Sequence, residues 1–414
     1  MEDILDCCCG LDVHKESIVA CLLAGPVKSK LKPQSEIKEF GTQLRDLLAL
    51  RQWLEEHQCN YVAMESSGIY WQPVYAVLET SLSDEMHLLV VNARHMKNVP
   101  GKKTDMRDAE WIATLLRAGL LKGSFVPERD IRDLRQFTRY RKALIRDITS
   151  QKNRIEKLMQ SNGFRLSSFL SDSFGSSGLA IMHQLVQDGF MTNQSLDRCL
   201  KAQAWKKAHE ILSSLNGTLS MPQRKLLKMQ LAHLAELQAN LREVEEEIHD
   251  GFSQFQGPIE LLDSIPGIDQ TAAYTILAEI GAEMSAFPTA QHICAWAGLA
   301  PGNHKSANKQ KKQRITPGNN YLKTMLCEVA WVIASHKILY LSSWYWRLKQ
   351  QTDAKRAIVA LARKLLVIIY TMLKTDQLYN EQKFLERKKA SEQRKVNRMV
   401  YELSRLGYAV SLPA

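Results

Sequence analysis

The sequence lacks the patterns that mark secreted and membrane-spanning proteins. Its eight cysteines are irregularly spaced and form no paired C-x-x-C motif, which argues against a zinc ribbon and against a disulfide scaffold. The chain opens with Glu2, Asp3 and Asp6, where a signal peptide has basic residues. The apolar run at residues 365–370 is too short to cross a bilayer. We therefore expect a protein of the reducing cytosol with no membrane partner.

Acidic residues are also fewer than basic ones. The chain of 414 residues has 44 Asp and Glu against 55 Lys and Arg, which gives a formal net charge of +11. A positive balance favours polyanionic partners, of which nucleic acid is the most common. With 45% hydrophobic residues, the chain is long enough to bury the cores of two or three domains.

Strand and helix patterns alternate in the segment 1–127, which predicts an α/β domain. The segment 128–256 has helical periodicity, which predicts either a coiled-coil hairpin or dimer arm, or a plain helical subdomain. Its apolar residues near heptad spacing are Leu227, Leu231, Leu234, Leu241 and Ile248. We predict a mainly α-helical domain at 257–375 and a charged helical tail at 376–414.

Two aspartates stand three residues apart in the stretch KKTDMRDAEWIATLLRAG, which opens at Lys102. On a helix, Asp105 and Asp108 would share one face, from which both could bind a single divalent cation. The alternative is that they are ordinary first-turn acids behind an N-cap at Thr104. A metal site also needs acids from elsewhere in the chain.

Two such acids stand at the ends of predicted strands. Asp12 ends the strand in CCCGLDVH, and Glu65 ends the strand in NYVAMES. Strand ends are where ligands and catalytic groups gather in an open α/β sheet, and an acid in an apolar run is costly unless it binds something. With Asp105 and Asp108 they predict a site for two Mg²⁺ ions, an arrangement that serves phosphoryl transfer.

Two features of the second half favour contacts with nucleic-acid phosphates. The segment LLDSIPGIDQTAAYTILAEIG predicts a helix–hairpin–helix-like unit whose second helix presents N–H groups to an anion, although simple helix–turn–helix packing is an alternative. The segment 302–320 is a basic loop, for which a solvated surface is the alternative. The side chains predicted to bind nucleic acid are Lys102, Lys103, Lys305, Lys309, Lys311, Lys312 and Arg314.

Six short blocks resemble one bacterial transposase family. GLDVHK, MESSGIYW and KKTDMRDAEWIATLL are similar to the N-terminal DEDD domain of the insertion-sequence-one-hundred-ten family, now described as bridge-RNA-guided recombinases. LDSIPGIDQTAAYTILAEIG, AWAGLAPGNHKS and RITPGNNYLKTML resemble its C-terminal transposase domain. The blocks occur in the family's order, which makes the match more specific than a lone D-x-x-D.

The resemblance implies a RuvC-like, RNase-H-type fold for the first domain, with Mg²⁺ at Asp12, Glu65, Asp105 and Asp108. It also implies that a serine of the C-terminal domain attacks DNA and forms a covalent phosphoserine link. Ser306 is the positional match for that serine, and it is the only serine between Ser285 and Ser335.

The partners that the resemblance implies are donor and target DNA, a guide (bridge) RNA, and further copies of the chain in a homodimer or homotetramer. The implied location is the bacterial cytoplasm, at the nucleoid. Two other interpretations stay open. One is a hydrolytic, junction-type DNA endonuclease that uses the same acids with water as the nucleophile. The other is a non-catalytic nucleic-acid-binding protein.

Overall fold

The chain divides into two compact units, Met1–Val126 and Pro127–Ala414. The computed structural model describes residues 3–27, 32–66, 68–80, 86–92, 108–301, 305–306, 309–310, 318–337 and 339–406. Among the helices in these ranges, none alone is long and apolar enough to cross a membrane. One pair of helices, bent by 95°, reaches that threshold by length and composition only.

A five-stranded mixed sheet forms the centre of the first unit, in the order β3-β2-β1-β4-β5. The strands are β1 (Cys7–Val13), β2 (Ser17–Ala24), β3 (Gln34–Gly41), β4 (Tyr61–Glu65) and β5 (His87–Val91). β1, β2 and β3 pair antiparallel, whereas β4 joins β1 in parallel and β5 joins β4 in parallel. The predicted α/β architecture is therefore confirmed, and it is consistent with the RuvC-like fold that the resemblance implies.

Three described helices cover the sheet: α1 (Leu44–Glu56), α2 (Trp71–Glu79) and α3 (Asp108–Arg117). Successive side chains of a strand point to opposite faces, and β1 is buried on both of them. Its residues Cys9, Leu11 and Val13 belong to one apolar core with residues of α1 and α2. Cys8 belongs to a second core with residues of α3. This two-sided burial explains why β1 reads as a continuous apolar run.

The buried guanidinium of Arg117 fixes the C-terminal end of α3. It donates from Nε to Asp3 Oδ2 at 2.7 Å, from Nη1 to Asp6 O at 3.0 Å and from Nη2 to Gly25 O at 2.8 Å. Asp6 precedes β1 and Gly25 follows β2, so one side chain ties the helix end to the open ends of the hairpin. Its carboxylate partner and two carbonyl acceptors satisfy a cation that would otherwise be costly to bury.

Arg117→Ala should loosen the β1–β2 hairpin, because it removes the hydrogen bonds that tie α3 to Asp3 and to the carbonyls of Asp6 and Gly25. We expect a loss of about 2–3 kcal/mol in the local opening free energy, as for hydrogen bonds to charged groups. Hydrogen–deuterium exchange of peptides from residues 7–24 measures it. Arg45→Ala, which removes a guanidinium whose side chain is 80% exposed, is the matched control and should change exchange little. Equal exchange in both variants would contradict this role of Arg117.

Two long helices begin the second unit and lie antiparallel. They are α4 (Arg129–Ser161) and, after three short helices, α8 (Met221–Gly251). Gln151 Nε2 donates to Gln230 O at 2.9 Å, and Arg141 Nη2 lies 2.7 Å from Glu245 Oε1. Four of the five residues at heptad spacing are buried, and α4 supplies the partner surface. The two helices therefore form an antiparallel pair within one chain, whereas the coiled-coil and dimer-arm interpretations stay predictions.

The short helices between them close the tip of the hairpin. They are α5 (Ser176–Asp188), α6 (Asn193–Cys199) and α7 (Ala208–Ser213). Their apolar side chains join Ile155 and Met159 of α4 and Leu227 and Leu231 of α8 in one core.

The rest of the second unit is also helical. Its helices are α9 (Gln256–Asp263), α10 (Gln270–Ile280), α11 (Ala290–Trp296), α12 (Asn320–Ser335), α13 (Tyr340–Lys349), α14 (Ala354–Thr375) and α15 (Glu381–Arg405). Helix α14 packs against α11, α12 and α13, and most of its apolar residues are buried. The predicted mainly α-helical character is confirmed here. The boundaries predicted at residues 256 and 375 stay predictions.

Candidate functional site

Asp12 and Glu65 come next to each other on neighbouring parallel strands. The register pairs Gly10 with Ala63 and Leu11 with Met64, so Asp12 and Glu65 occupy the next positions on β1 and β4. Aligned residues of adjacent strands point to the same face. Both acids are half-buried, and both lie on the sheet face that α3 covers. Two of the four predicted acids therefore meet at the carboxyl end of the parallel strands.

The start of α3 points to the same edge of the sheet. Its last residue, Arg117, contacts the start of β1, and Cys8 Sγ lies 3.5 Å from Ala113 O. The helix therefore runs opposite to β1, and its first residue, Asp108, lies toward the Asp12 end. Asp108 is exposed in the first turn, where the helix dipole favours a carboxylate.

Gly10 allows this helix to approach closely. A Cβ at Gly10 would lie 2.3 Å from Ala109 O and 2.4 Å from Ala113 N, so no side chain fits between strand and helix. Small residues on both surfaces thus set the depth at which α3 lies on the sheet. The sequence reasoning did not identify this contact; the glycine in GLDVHK was its only signal.

His14 is a neighbour of Asp12 that the sequence reasoning also missed. Its Nε2 lies 3.2 Å from Asp12 Oδ2, and the His14 side chain is 62% exposed against 19% for Asp12. The β1–β2 turn brings it there, because His14 N–H donates to Ser17 O at 2.9 Å. One oxygen of Asp12 therefore has a polar partner that a bound cation would have to displace or share.

The fourth predicted acid, Asp105, lies outside the described residues, as do Lys102 and Lys103. Within the ranges that the structure describes, no group of three or more His, Cys, Asp or Glu side chains is close enough to hold a metal ion. The three described acids share one edge of the unit, and their carboxylate oxygens are the donors that Mg²⁺ prefers.

In the second unit, the backbone of Ser306 lies in a short antiparallel pair of strands. Strand β6 (Lys305–Ser306) pairs with β7 (Lys309–Gln310), and Ser306 stands opposite Lys309. The predicted phosphate-binding residues Lys311, Lys312 and Arg314 lie outside the described residues. The structure therefore places the backbone of the predicted nucleophile next to that of one predicted phosphate-binding lysine.

One of the N–H groups at the start of α10, where the helix–hairpin–helix interpretation places an anion, is already hydrogen-bonded to a side chain. Asp269 is the N-cap, and its Oδ1 accepts the N–H of Ala272 at 2.8 Å. The cap occupies a first-turn donor and places a negative charge where a phosphate would bind. The anion site expected at this helix start, and the alternative of simple helix packing, both stay predictions.

The carboxylate of Glu279, near the end of α10, is fully buried and forms a network of hydrogen bonds. Arg139 of α4 donates to both of its oxygens at 2.8 Å, and Asn319 Nδ2 donates to Oε2 at 2.6 Å. Arg135 donates to the carbonyls of Ala278 and Glu279 at 2.9 and 2.8 Å, which caps the end of the helix. Sequence periodicity could not find this network, because its members lie far apart in the chain.

Both arginines stay protonated at neutral pH despite their burial. Burial lowers the pKa of Arg139, but the hydrogen bonds and charge of Glu279 outweigh it, so the pKa is raised overall. Burial lowers the pKa of Arg135 to about 10, and the charge of Glu279 offsets this only in part. The pair of cations therefore neutralises the buried carboxylate at physiological pH.

Carboxylates at the ends of parallel strands are typical of enzymes that transfer phosphoryl groups with metal ions. Comparisons with known proteins narrow this class. A family model of the IS110 DEDD type, described as a transposase, matches residues 9–162. A second model, described as transposase of the IS116/IS110/IS902 family, matches residues 259–346. Together the two matches cover more than half of the chain.

Curated relatives agree with these matches. The chain is 24% identical over 302 residues to the transposase of insertion sequence element IS1111A from Coxiella burnetii, covering 70% of this chain and 72% of that protein. It is 27% identical to a probable family 20 transposase of Pseudomonas aeruginosa, over 41% of this chain and 51% of that protein. It is 30% identical to the pilin gene-inverting protein of Moraxella bovis, over 29% and 38%. The chain belongs to the IS110 family of transposases, enzymes that recombine DNA.

Gly10→Ala tests whether the depth of α3 matters for the acid edge. The added methyl group must push the helix away from β1, because its nearest neighbours are backbone atoms at 2.3 and 2.4 Å. We expect a loss of about 1–3 kcal/mol in stability, as for other overpacked sites, together with reduced DNA cleavage.

Thermal unfolding and cleavage of labelled DNA measure the two effects. Gly257→Ala is the matched control, because a Cβ there would meet nothing within 4 Å. A Gly10→Ala protein that melts and cleaves like the unchanged chain would contradict the close-packing argument.

Proposed function

We propose that this chain is an RNA-guided recombinase of an insertion sequence, which cuts and exchanges DNA strands through a serine nucleophile and a metal site of four acids. The observation that carries the proposal is the convergence of Asp12, Glu65 and the start of α3 at one edge of the first unit. Donor and target DNA are the substrates. The RuvC-like identity of the fold is part of the same proposal.

The guide RNA rests on the family resemblance and on the positive charge of the chain. Sequencing of RNA that copurifies with the protein from its native element tests it. Enrichment of one structured transcript from the element is expected, and purification without any enriched RNA would remove the guide from the proposal.

Asp12, Glu65, Asp105 and Asp108 are the residues that would hold Mg²⁺. Such an ion supplies electrostatic stabilisation of the charge that develops on the phosphate oxygens. The donor set fits, because it consists of carboxylates on two adjacent strand ends and at a helix start. Like charges so placed repel one another, so a cation at this edge also relieves a local instability.

The serine step conserves the energy of the phosphodiester. The Ser306 hydroxyl oxygen forms a bond to phosphorus, its proton is released, and the bond from phosphorus to a sugar oxygen breaks. That sugar oxygen leaves as a hydroxyl group. In the second half, a hydroxyl of another strand attacks the phosphoserine, which rejoins DNA and restores the serine. The hydrolytic alternative replaces Ser306 by water and cannot rejoin strands without a new energy source.

Asp12→Asn removes one charge from the proposed metal site with little change in shape. We expect strand cleavage to be lost and Mg²⁺ binding to weaken in calorimetric titration. The folded state should be kept or slightly stabilised, because one repelling carboxylate is gone. Glu16→Gln, an exposed residue of the same turn, is the matched control. Full cleavage and unchanged Mg²⁺ binding in Asp12→Asn would overturn the metal assignment.

Ser306→Ala should keep DNA and RNA binding but abolish recombination and any covalent protein–DNA species. Denaturing gel electrophoresis with labelled donor DNA and Mg²⁺ detects the adduct, and peptide mass spectrometry locates it. Ser285→Ala, an exposed serine outside the loop, is the control and should retain the adduct.

An adduct on another residue, or recombination that survives in Ser306→Ala, would defeat the serine assignment. Cleavage of DNA without any adduct in the unchanged chain would favour the hydrolytic endonuclease instead.

A further inference from the structure

The segment that carries Ser306 begins and ends at two backbone positions that lie against each other. We call them the first stem, at Gly298, and the second stem, at Gly318 and Asn319. The first stem turns at Gly298, where φ is +71°. A Cβ on Gly318 would lie 2.2 Å from Gly298 N, and the N–H of Asn319 donates to Trp296 O at 3.2 Å. The two ends of the segment are therefore fixed to each other through their backbones.

Both the oxygen and the nitrogen of the Asn319 side-chain amide form hydrogen bonds. Its Oδ1 accepts the N–H groups of Tyr321 at 3.0 Å and Leu322 at 3.1 Å, which caps α12. Its Nδ2 donates to the buried Glu279 Oε2 at 2.6 Å. Capping requires only the acceptor, and Ser, Thr or Asp would serve as well. Ser and Thr also carry a donor, but it is on the capping oxygen itself, whereas Asn has a separate N–H donor beside that oxygen, so the residue type at 319 points to the link with Glu279.

Arg139 in turn fixes the direction of the Glu279 carboxylate. Its fork of two 2.8 Å hydrogen bonds allows one orientation only. The same guanidinium lies over the ring of Tyr321, the second residue of α12, at 4.4 Å from its centroid. The contacts thus run from the long helix α4 through Glu279 to the second stem.

We propose that Glu279, held by Arg139, is a positioning residue for the Ser306 reaction. It orients Asn319 and so sets the place of the second stem. This inference rests on the proposed role of Ser306 as nucleophile. Placement of a reacting atom matters steeply, because an error of ~1 Å can cost about 10²-fold in rate.

Asn319→Ser separates the two functions of Asn319. Serine caps α12 as asparagine does, but its hydroxyl is too short to reach Glu279. We expect the melting temperature and the DNA affinity to stay close to those of the unchanged chain. The single-turnover rate constant for the Ser306–DNA adduct should fall by about 10- to 100-fold with an unchanged amplitude. Trypsin should cut faster between Lys305 and Arg314 in the free protein.

Two further variants sharpen the comparison. Asn320→Ser makes the same change at the neighbouring exposed residue and should alter neither readout. Arg139→Lys keeps the charge but loses the fork, so its adduct rate constant should fall as in Asn319→Ser.

An unchanged rate constant with unchanged trypsin cleavage in Asn319→Ser would overturn the proposal. A lower amplitude at the original rate constant would also overturn it, because that result reports a smaller folded fraction. If the adduct maps to a residue other than Ser306, the proposed function fails, whereas the trypsin comparison still decides whether Glu279 positions the stem.

Discussion

The fully buried carboxylate of Glu279 is the interaction on which the packing around α10 depends. Moving an ion such as Glu279 out of water costs several kcal/mol even after relaxation, so the fold must surround it with donors. Those donors come from α4 and from the residue that caps α12. These hydrogen bonds hold α4, α10 and α12 in one register, because apolar packing is less directional than hydrogen bonding. Loss of Arg139 would leave the buried carboxylate with Asn319 and with the guanidinium of Arg135 at 3.5 Å, which is more costly than the loss of a surface pair.

In the first unit, the position of α3 is fixed by close backbone packing at one end and by an arginine at the other. Gly10 admits the backbone of α3 to contact distance, and Arg117 ties the far end of the same helix to the hairpin. Between these two contacts the helix has one depth and one direction. That geometry brings Asp108 to the edge where Asp12 and Glu65 lie.

In the first unit, Gly10 and Arg117 fix the position of α3, and they are different residues from the proposed metal ligands. Glu279 and Asn319 of the second unit, in contrast, serve both the packing of the helices and the proposed placement of the segment that carries Ser306. In the second unit, the apolar face of α8 is consumed by α4 and by the tip core. The assembly into a dimer or tetramer that the resemblance implies stays a prediction.

Local patterns in the sequence were sufficient for the described strands and helices of the first unit, and they pointed to Asp12 and Glu65 as candidate metal ligands. Strand periodicity and apolar runs depend on neighbours in the chain, and acids at the ends of such runs are conspicuous because burial would be costly. The Glu279 network and the pairing of α8 with α4 could not be read in that way. Arg139, Glu279 and Asn319 are brought together by folding across 180 residues, as the span from 139 to 319 shows. Likewise, the sequence of α10 suggested open N–H groups at its start, and only the tertiary structure showed that the Asp269 side chain occupies one of them, because a cap is decided by side-chain geometry.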